Sequence, residues 1–202
     1  MTTDSDVFDA LADGYDDDPF HPLVADTLVS TLPNAPALLV DVATGTGAAA
    51  FAALRLKPAS IVAVDFSPAM LALAREKAAT LDPSGVISWH EGRAVPLPVA
   101  DGAADAVVCA SALHFLGATA LAEWRRVLRP GGVAAFSISS ARRFSRTGSL
   151  TDQMPRDFRI PGTEKEAAAL ATEAGFTTAS ATTVTAHLAG RERLVFGVRA
   201  VR

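Results

Sequence analysis

Two rhythms of apolar residues alternate along the chain. Short continuous runs, several of them rich in β-branched residues, read as buried strands at 38–40, 60–66, 86–90, 104–110 and 133–138. Between them the apolar positions take helical spacing. Val7, Phe8, Leu11 and Tyr15 predict a short helix over about 6–14, broken by Asp16-Asp17-Asp18-Pro19. Leu23, Val24, Leu28 and Leu32 mark a second helix, stopped at Pro33-Asn34-Ala35-Pro36. An Ala-rich run continues from Ala48 to about Leu56, and Ser67-Pro68 opens another helix as N-cap and first helical residue. Further helices are expected at about 118–128 and 163–174, the last ended by Gly175. Two β-rich segments, 177–186 and 194–201, close the chain around a polar turn near Gly190, a connection short enough to require antiparallel pairing. The alternation from 37 to 175 predicts a parallel sheet with helices on both faces, and the closing hairpin adds an antiparallel edge.

Composition narrows this to one soluble domain. The chain has 202 residues, half of them hydrophobic and a fifth charged, which suffices for a sizeable core. A net charge of −4 argues against general nucleic-acid binding. The single cysteine, Cys109, excludes an internal disulfide framework and a Cys-rich zinc site, and the four histidines lack metal-ligand spacing, so no metal is expected. No apolar stretch is long enough to span a membrane, and the polar, acidic start is unlike a signal peptide; a cytoplasmic protein is expected. The acidic run at 16–18 reads as a solvated turn in preference to a metal site.

The candidate chemistry centres on Asp41-Val42-Ala43-Thr44-Gly45-Thr46-Gly47. A buried strand runs into a small-residue turn and then a helix, the place where α/β proteins bind nucleotides. Asp65 ends the next strand, 18 residues after Gly47, where a carboxylate can accept hydrogen bonds from both ribose hydroxyls or cap the following helix. The turn does not follow G-x-G-x-x-G and the chain offers no second domain for a hydride acceptor, which disfavours a nicotinamide dehydrogenase.

With these residues in place the chain resembles the class I S-adenosylmethionine-dependent methyltransferases of the small-molecule type (methyltransferase type 11), the group that includes ubiquinone- and menaquinone-pathway methylases. The resemblance rests on the Asp41–Gly47 motif, Val64-Asp65-Phe66-Ser67-Pro68-Ala69-Met70-Leu71, Leu97-Pro98 with Asp105, and Leu128-Arg129-Pro130-Gly131-Gly132, in the family's order and spacing. It covers about 37–140 closely and the two ends by layout. It implies a Rossmann-like seven-stranded α/β sheet in order 3-2-1-4-5-7-6 with strand 7 antiparallel, and a methyl transfer from S-adenosylmethionine, leaving S-adenosylhomocysteine. It further implies an N-terminal helical lid over 1–36 and a methyltransferase domain over 37–202, with 140–162 as a substrate-side loop.

The resemblance also implies residue roles. The backbone around Ala43, Thr44, Gly45 and Gly47 would hold the methionine part of the cofactor, and Asp41 would order the turn and support the ammonium group. Asp65 would take the ribose diol, Phe66 and Met70 would pack near the adenine, and Arg93 and Ala94 would line its edge. Ala110 would lie near the sulfonium and the acceptor. Arg93 stands where the family usually has an acidic residue; a guanidinium has no acceptor for the adenine amino group, although the Ala94 amide can serve the ring.

Methyl transfer needs alignment and exclusion of water more than a metal or an oxyanion site. His114 is the candidate base, set against a structural or substrate-shaping role; Tyr15 either closes over the cofactor or anchors its own helix. Arg142 and Arg143, in the Arg-rich loop after the fifth strand, are candidates for holding an acidic acceptor, set against a solvated loop. The expected partner is a small-molecule acceptor, the expected assembly a monomer or homodimer. A cofactor-binding protein without catalysis, acting as a partner or regulatory subunit, is the alternative.

Overall fold

A computed structural model describes residues 4–142, 153–156, 158–188 and 191–202. Strand β1 (Leu38–Val42) lies at the centre of a seven-stranded sheet. Parallel to it run β2 (Ser60–Asp65) on one side and β4 (Ala104–Cys109) on the other, with β3 (Ile87–Glu91) beyond β2 and β5 (Leu128–Ser139) beyond β4. The terminal hairpin, β6 (Thr178–Leu188) and β7 (Arg191–Val201), then adds β7 antiparallel to β5 and β6 at the edge. The resulting order is β3-β2-β1-β4-β5-β7-β6, as the resemblance implies.

Burial explains why these runs became strands. Leu39, Val40, Ile61, Ala63, Ala106 and Val108 are almost wholly excluded from solvent, so β1, β2 and β4 are covered on both faces. One face packs against α2 (Phe20–Val29) and α3 (Ala48–Ala53); the other packs against α6 (Ala118–Val127) and α7 (Glu164–Glu173). Trp124, entirely buried on α6, meets Phe136 of β5 at 5.5 Å between ring centroids. In α2, Phe20, Val24, Ala25, Leu28 and Val29 are buried in the same cluster as β1, so this helix is part of the domain core although it precedes residue 37. The remaining helices are α1 (Asp4–Asp9), α4 (Pro68–Leu81) and α5 (Leu113–Leu116).

Conserving the sheet's ends are side chains far from the cleft. Asp105 Oδ2 accepts the amides of Ala37 and Leu38 at 2.7 and 3.0 Å, and its Oδ1 accepts from Arg129, which pins the start of β1 to the start of β5. The Leu97 amide donates to Glu123 Oε1 at 2.7 Å, fixing the Leu97-Pro98 stretch on α6. The expected turn at 129–132 is a bulge inside β5 instead. Leu128 already pairs with Ala104, and the register shifts before Ala106 meets Val133.

Candidate active site

Parallel strands deliver their chemistry at their carboxyl ends, and here β1, β2 and β4 all end on one cleft of about 400 Å³. The turn after β1 forms its floor. Ala43, Gly45 and Gly47 all take positive φ, at 54°, 55° and 90°. Ala43 tolerates that conformation at a cost, a strain of the kind found where backbone is shaped for a ligand. The two glycines need it for different reasons. A Cβ on Gly47 would come within 2.7 Å of Phe51 and 2.8 Å of Trp89, so Gly47 is required for packing at the start of α3. A Cβ on Gly45 would meet only the Tyr15 ring, at 3.9 Å, and would project toward the cleft that Gly45 lines.

Two carboxyl groups flank the turn. Asp65 is 6% exposed; its Oδ2 accepts the Gly45 amide at 2.7 Å and its Oδ1 the Ser67 amide at 2.9 Å. It therefore braces the glycine turn and the head of α4 together while lining the cleft. Ser67 Oγ caps α4 by accepting from the Met70 amide, with Pro68 in the first turn. Burial raises the Asp65 pKa, and the amides of Ser67, Gly45 and Phe66 oppose it.

Asp41 is buried further. Its Oδ2 accepts from Thr44 Oγ1 at 2.6 Å, while Oδ1 has no well-aligned donor; the Ala50 amide only approaches it. Burial pushes its pKa up to about 7, against the pull of Thr44. Asp41, Ala43, Thr44, Ala110 and Ser111 border a pocket of about 20 Å³ beside it, room for one water or one ammonium group.

The N-terminal segment makes the opposite wall. Phe8 meets Phe66 and Phe115 edge-on, at 5.3 and 5.4 Å between centroids. Tyr15 stacks on His21 at 4.6 Å and stands over Gly45. Burial raises the Tyr15 hydroxyl to about 12, helped by the charge of Asp65, and lowers His21. Carboxylates hold this wall down. Asp9 accepts from Ser67 Oγ and from the Ala69 amide; Asp16 accepts from Thr46 Oγ1 at 2.6 Å and pairs with Lys77 at 2.7 Å. Within the largely exposed run at 16–18, Asp16 is thus a tether.

The third wall comes from the ends of β4 and β5. Ala110 and His114 line the cleft, His114 buried against Phe115, and burial lowers its pKa to about 4. Ser111, between them, has φ 61°, donates its amide to Ser137 Oγ at 2.7 Å, and keeps its own Oγ buried without a partner among the described residues.

Asp65, Ala43, Gly45, Phe66, Met70 and Ala110 therefore share one cleft, with His114 and Tyr15 beside them. Arg93 and Ala94 follow β3 outside the residues that line it; Arg93 is exposed and Ala94 packs on the core. Arg142 is exposed just beyond β5 and is likewise outside the lining, while Arg143 falls outside the described residues. Several lining residues escaped the sequence reading, Ser111 and a β7 segment among them. Ser111 follows β4, where the fold rule points but no motif does. Glu192, Arg193, Leu194 and Val195 enter from β7. Among the described residues no cluster of three or more His, Cys, Asp or Glu is placed to hold a metal ion, and no helix is long and apolar enough to cross a membrane.

Comparison with known proteins places this architecture. Residues 40–136 match a family described as a methyltransferase domain. The chain is 45% identical over 104 residues to a demethylmenaquinone methyltransferase of Deinococcus radiodurans, covering 50% of this chain and 42% of that protein. It is 38% identical over 119 residues to the ubiquinone/menaquinone biosynthesis C-methyltransferase UbiE of Geobacter sulfurreducens, covering 55% and 46%. The chain thus spans about half the length of the curated relatives it matches. In fold it is similar to a chain of the complex between the Haloferax volcanii Trm112 methyltransferase activator and a methyltransferase, with a TM-score of 0.73, 20% identity and coverage of 100% and 99%. It is also similar to a SAM-dependent methyltransferase from Aquifex aeolicus, with a TM-score of 0.65, 19% identity and 99% of each chain covered.

Proposed function

We propose that the chain is a class I S-adenosylmethionine-dependent methyltransferase and that it transfers the methyl group of S-adenosylmethionine to a small-molecule acceptor held in this cleft. The observation that carries the reading is the pair of carboxyl groups, Asp41 and Asp65, set on either side of the Ala43–Gly45 turn. The residues present fit the cofactor. Asp41 keeps one buried oxygen without a well-aligned donor beside a pocket of ammonium size. Asp65 takes the Gly45 amide on one oxygen and the Ser67 amide on the other, with the Phe66 amide also favouring its charge, and the carboxylate keeps acceptor capacity for a hydroxyl donor.

When bound, the cofactor supplies an electrophilic methyl carbon on a sulfonium, open to in-line displacement. The chain's own part is binding, alignment and exclusion of water. Asp41 would hold the ammonium, Asp65 would take the ribose hydroxyls, and Phe66 and Met70 would flank the base. Ala110 and Ser111 would line the side from which the acceptor approaches. Tyr15 and His21 cover the turn and keep water from it.

The proton chemistry is constrained by the same burial. A useful base has a pKa near the working pH. His114 at about 4 is neutral but weakly basic, and Tyr15 at about 12 is protonated. Both serve better as shaping groups than as bases. Such a site suits an acceptor whose nucleophile needs no strong base: an ionised oxygen or sulfur, a neutral amine, or a stabilised carbanion. The quinone-pathway relatives, which act on small organic acceptors, support the same class.

Calorimetry with S-adenosylmethionine and S-adenosylhomocysteine tests the binding half. Micromolar affinity is expected, with a loss of about tenfold or more in Asp65→Ala, since hydrogen bonds to a charged group are worth about 1.5–3 kcal/mol. Turnover of labelled cofactor with a metabolite extract tests the other half. Binding without any labelled product overturns the enzyme reading, and no binding overturns both.

A further inference from the structure

We propose that Arg193 is the acceptor-recognition residue of this cleft and that it selects acceptors carrying a carboxylate or phosphate group. The inference rests on the methyl-transfer reading above and adds the chemistry of the acceptor to it. Among the described residues that line the cleft, Arg193 is the single side chain that is cationic at neutral pH; His21 and His114 also line it, and burial lowers the pKa of both. It reaches the cleft from β7, 175 residues away from the segment it meets. Its guanidinium carbon lies 4.0 Å over the centre of the Phe20 ring, so one face is fixed by the aromatic ring. One nitrogen, Nη1, donates to Asp18 Oδ2. The other N–H groups of this planar fork lie in the guanidinium plane and have no partner among the described residues.

Asp18 is a replaceable partner. Its side chain is 35% exposed and that of Arg193 39%, so solvent screens their attraction. Asp18 has a second role that survives the loss of Arg193, because its Oδ1 accepts the Phe20 amide, the first of α2, at 3.0 Å. An incoming oxyanion therefore shares or takes over a fork already oriented by Phe20. The body of such a ligand meets Phe8, Phe115, Leu194 and Val195, all of which line the same cleft. Arg142, the sequence-level candidate for this task, lies outside the lining.

The competing role, a mere latch between the N-terminal segment and the hairpin, gives a different set of results. Calorimetry is run on the full chain saturated with S-adenosylhomocysteine, with benzoate, phenyl phosphate and benzamide as probes. The proposal expects benzoate or phenyl phosphate to bind about tenfold tighter than benzamide, the scale of a charge-assisted pair, and the two anions tell carboxylate from phosphate. Arg193→Gln abolishes the preference, and Arg193→Lys, which keeps the charge but not the fork, retains part of it and carries the test if the glutamine variant does not fold. Asp18→Asn keeps an oxygen for the Phe20 amide and removes the internal competitor, so it strengthens anion binding severalfold. Anions that bind no better than benzamide, an anion preference that survives Arg193→Gln, or anion binding unchanged or weakened in Asp18→Asn each overturn the proposal. A protein that fails to take up S-adenosylhomocysteine at all overturns the methyltransferase reading instead.

Discussion

The two glycines of the turn after β1 divide labour in a way that substitution separates. Gly47→Ala drives a Cβ into Phe51 and Trp89 at φ 90°, and unfolding free energy is expected to fall by about 2–4 kcal/mol, read from denaturant melts. Gly45→Ala has room and costs about 1 kcal/mol in stability, but it places a methyl toward the cleft and weakens cofactor binding in calorimetry. Asp41 sets a pH dependence of known sign. Its folded pKa, about 7, lies above the unfolded value, so the free chain is stabilised below the unfolded value and loses that stability as pH rises toward and through 7. Cofactor affinity runs the opposite way, because the ammonium partner prefers the ionised form. Melting temperature measured from pH 4.5 to 8 is expected to fall with pH in wild type and to flatten in Asp41→Asn, while affinity rises with pH only in wild type. These residues were legible because strand-end carboxylates and glycines sit at fixed spacings along the chain. Arg193 was not, since nothing local distinguishes it from the other arginines and its place over Phe20 and beside Asp18 is set by contacts remote in sequence.

At the scale of elements, the N-terminal wall is held chiefly by side chains reaching helix starts. Asp9 gives α4 a second cap beside Ser67, through Ser67 Oγ and the Ala69 amide. Asp9→Ala is expected to cost about 1–2 kcal/mol, the usual size for a lost cap, and to speed proteolytic cleavage before residue 20 in limited-digestion assays. Helix and strand identity followed from periodicity nearly throughout, whereas ends moved where tertiary contacts overrode local signals. Pro130 and the two glycines read as a turn, yet Leu128 is wholly buried and pairs with Ala104, so β5 begins earlier and absorbs those residues as a bulge. Helix α1 is shorter than its apolar spacing suggests, because the chain leaves it to set Tyr15 over the turn.

For the molecule as a whole, the boundary that matters lies inside the N-terminal region. Phe20, Val24, Leu28 and Val29 of α2 are core residues, each worth about 1.5–3 kcal/mol when buried, which together rivals the about 5–15 kcal/mol of a typical domain. Removing residues 1–19 is expected to leave a folded protein with weakened cofactor binding. Removing 1–36 is expected to leave no cooperative melt, as circular dichroism on heating will show. The resemblance implied a lid ending at 36 because family layout marks where the strand begins, and packing alone reveals which helix the strand needs.

The sheet order carries a consequence for how the molecule is made. Strand β7 is threaded between β5 and β6, and among the described residues β6 pairs with β7 alone, so β6 waits unpaired until β7 has been synthesised. The cleft draws one wall from residue 8 and another from residue 195. A nascent chain can therefore build the central strands while still on the ribosome, but it acquires a complete ligand site only after residue 195 has emerged.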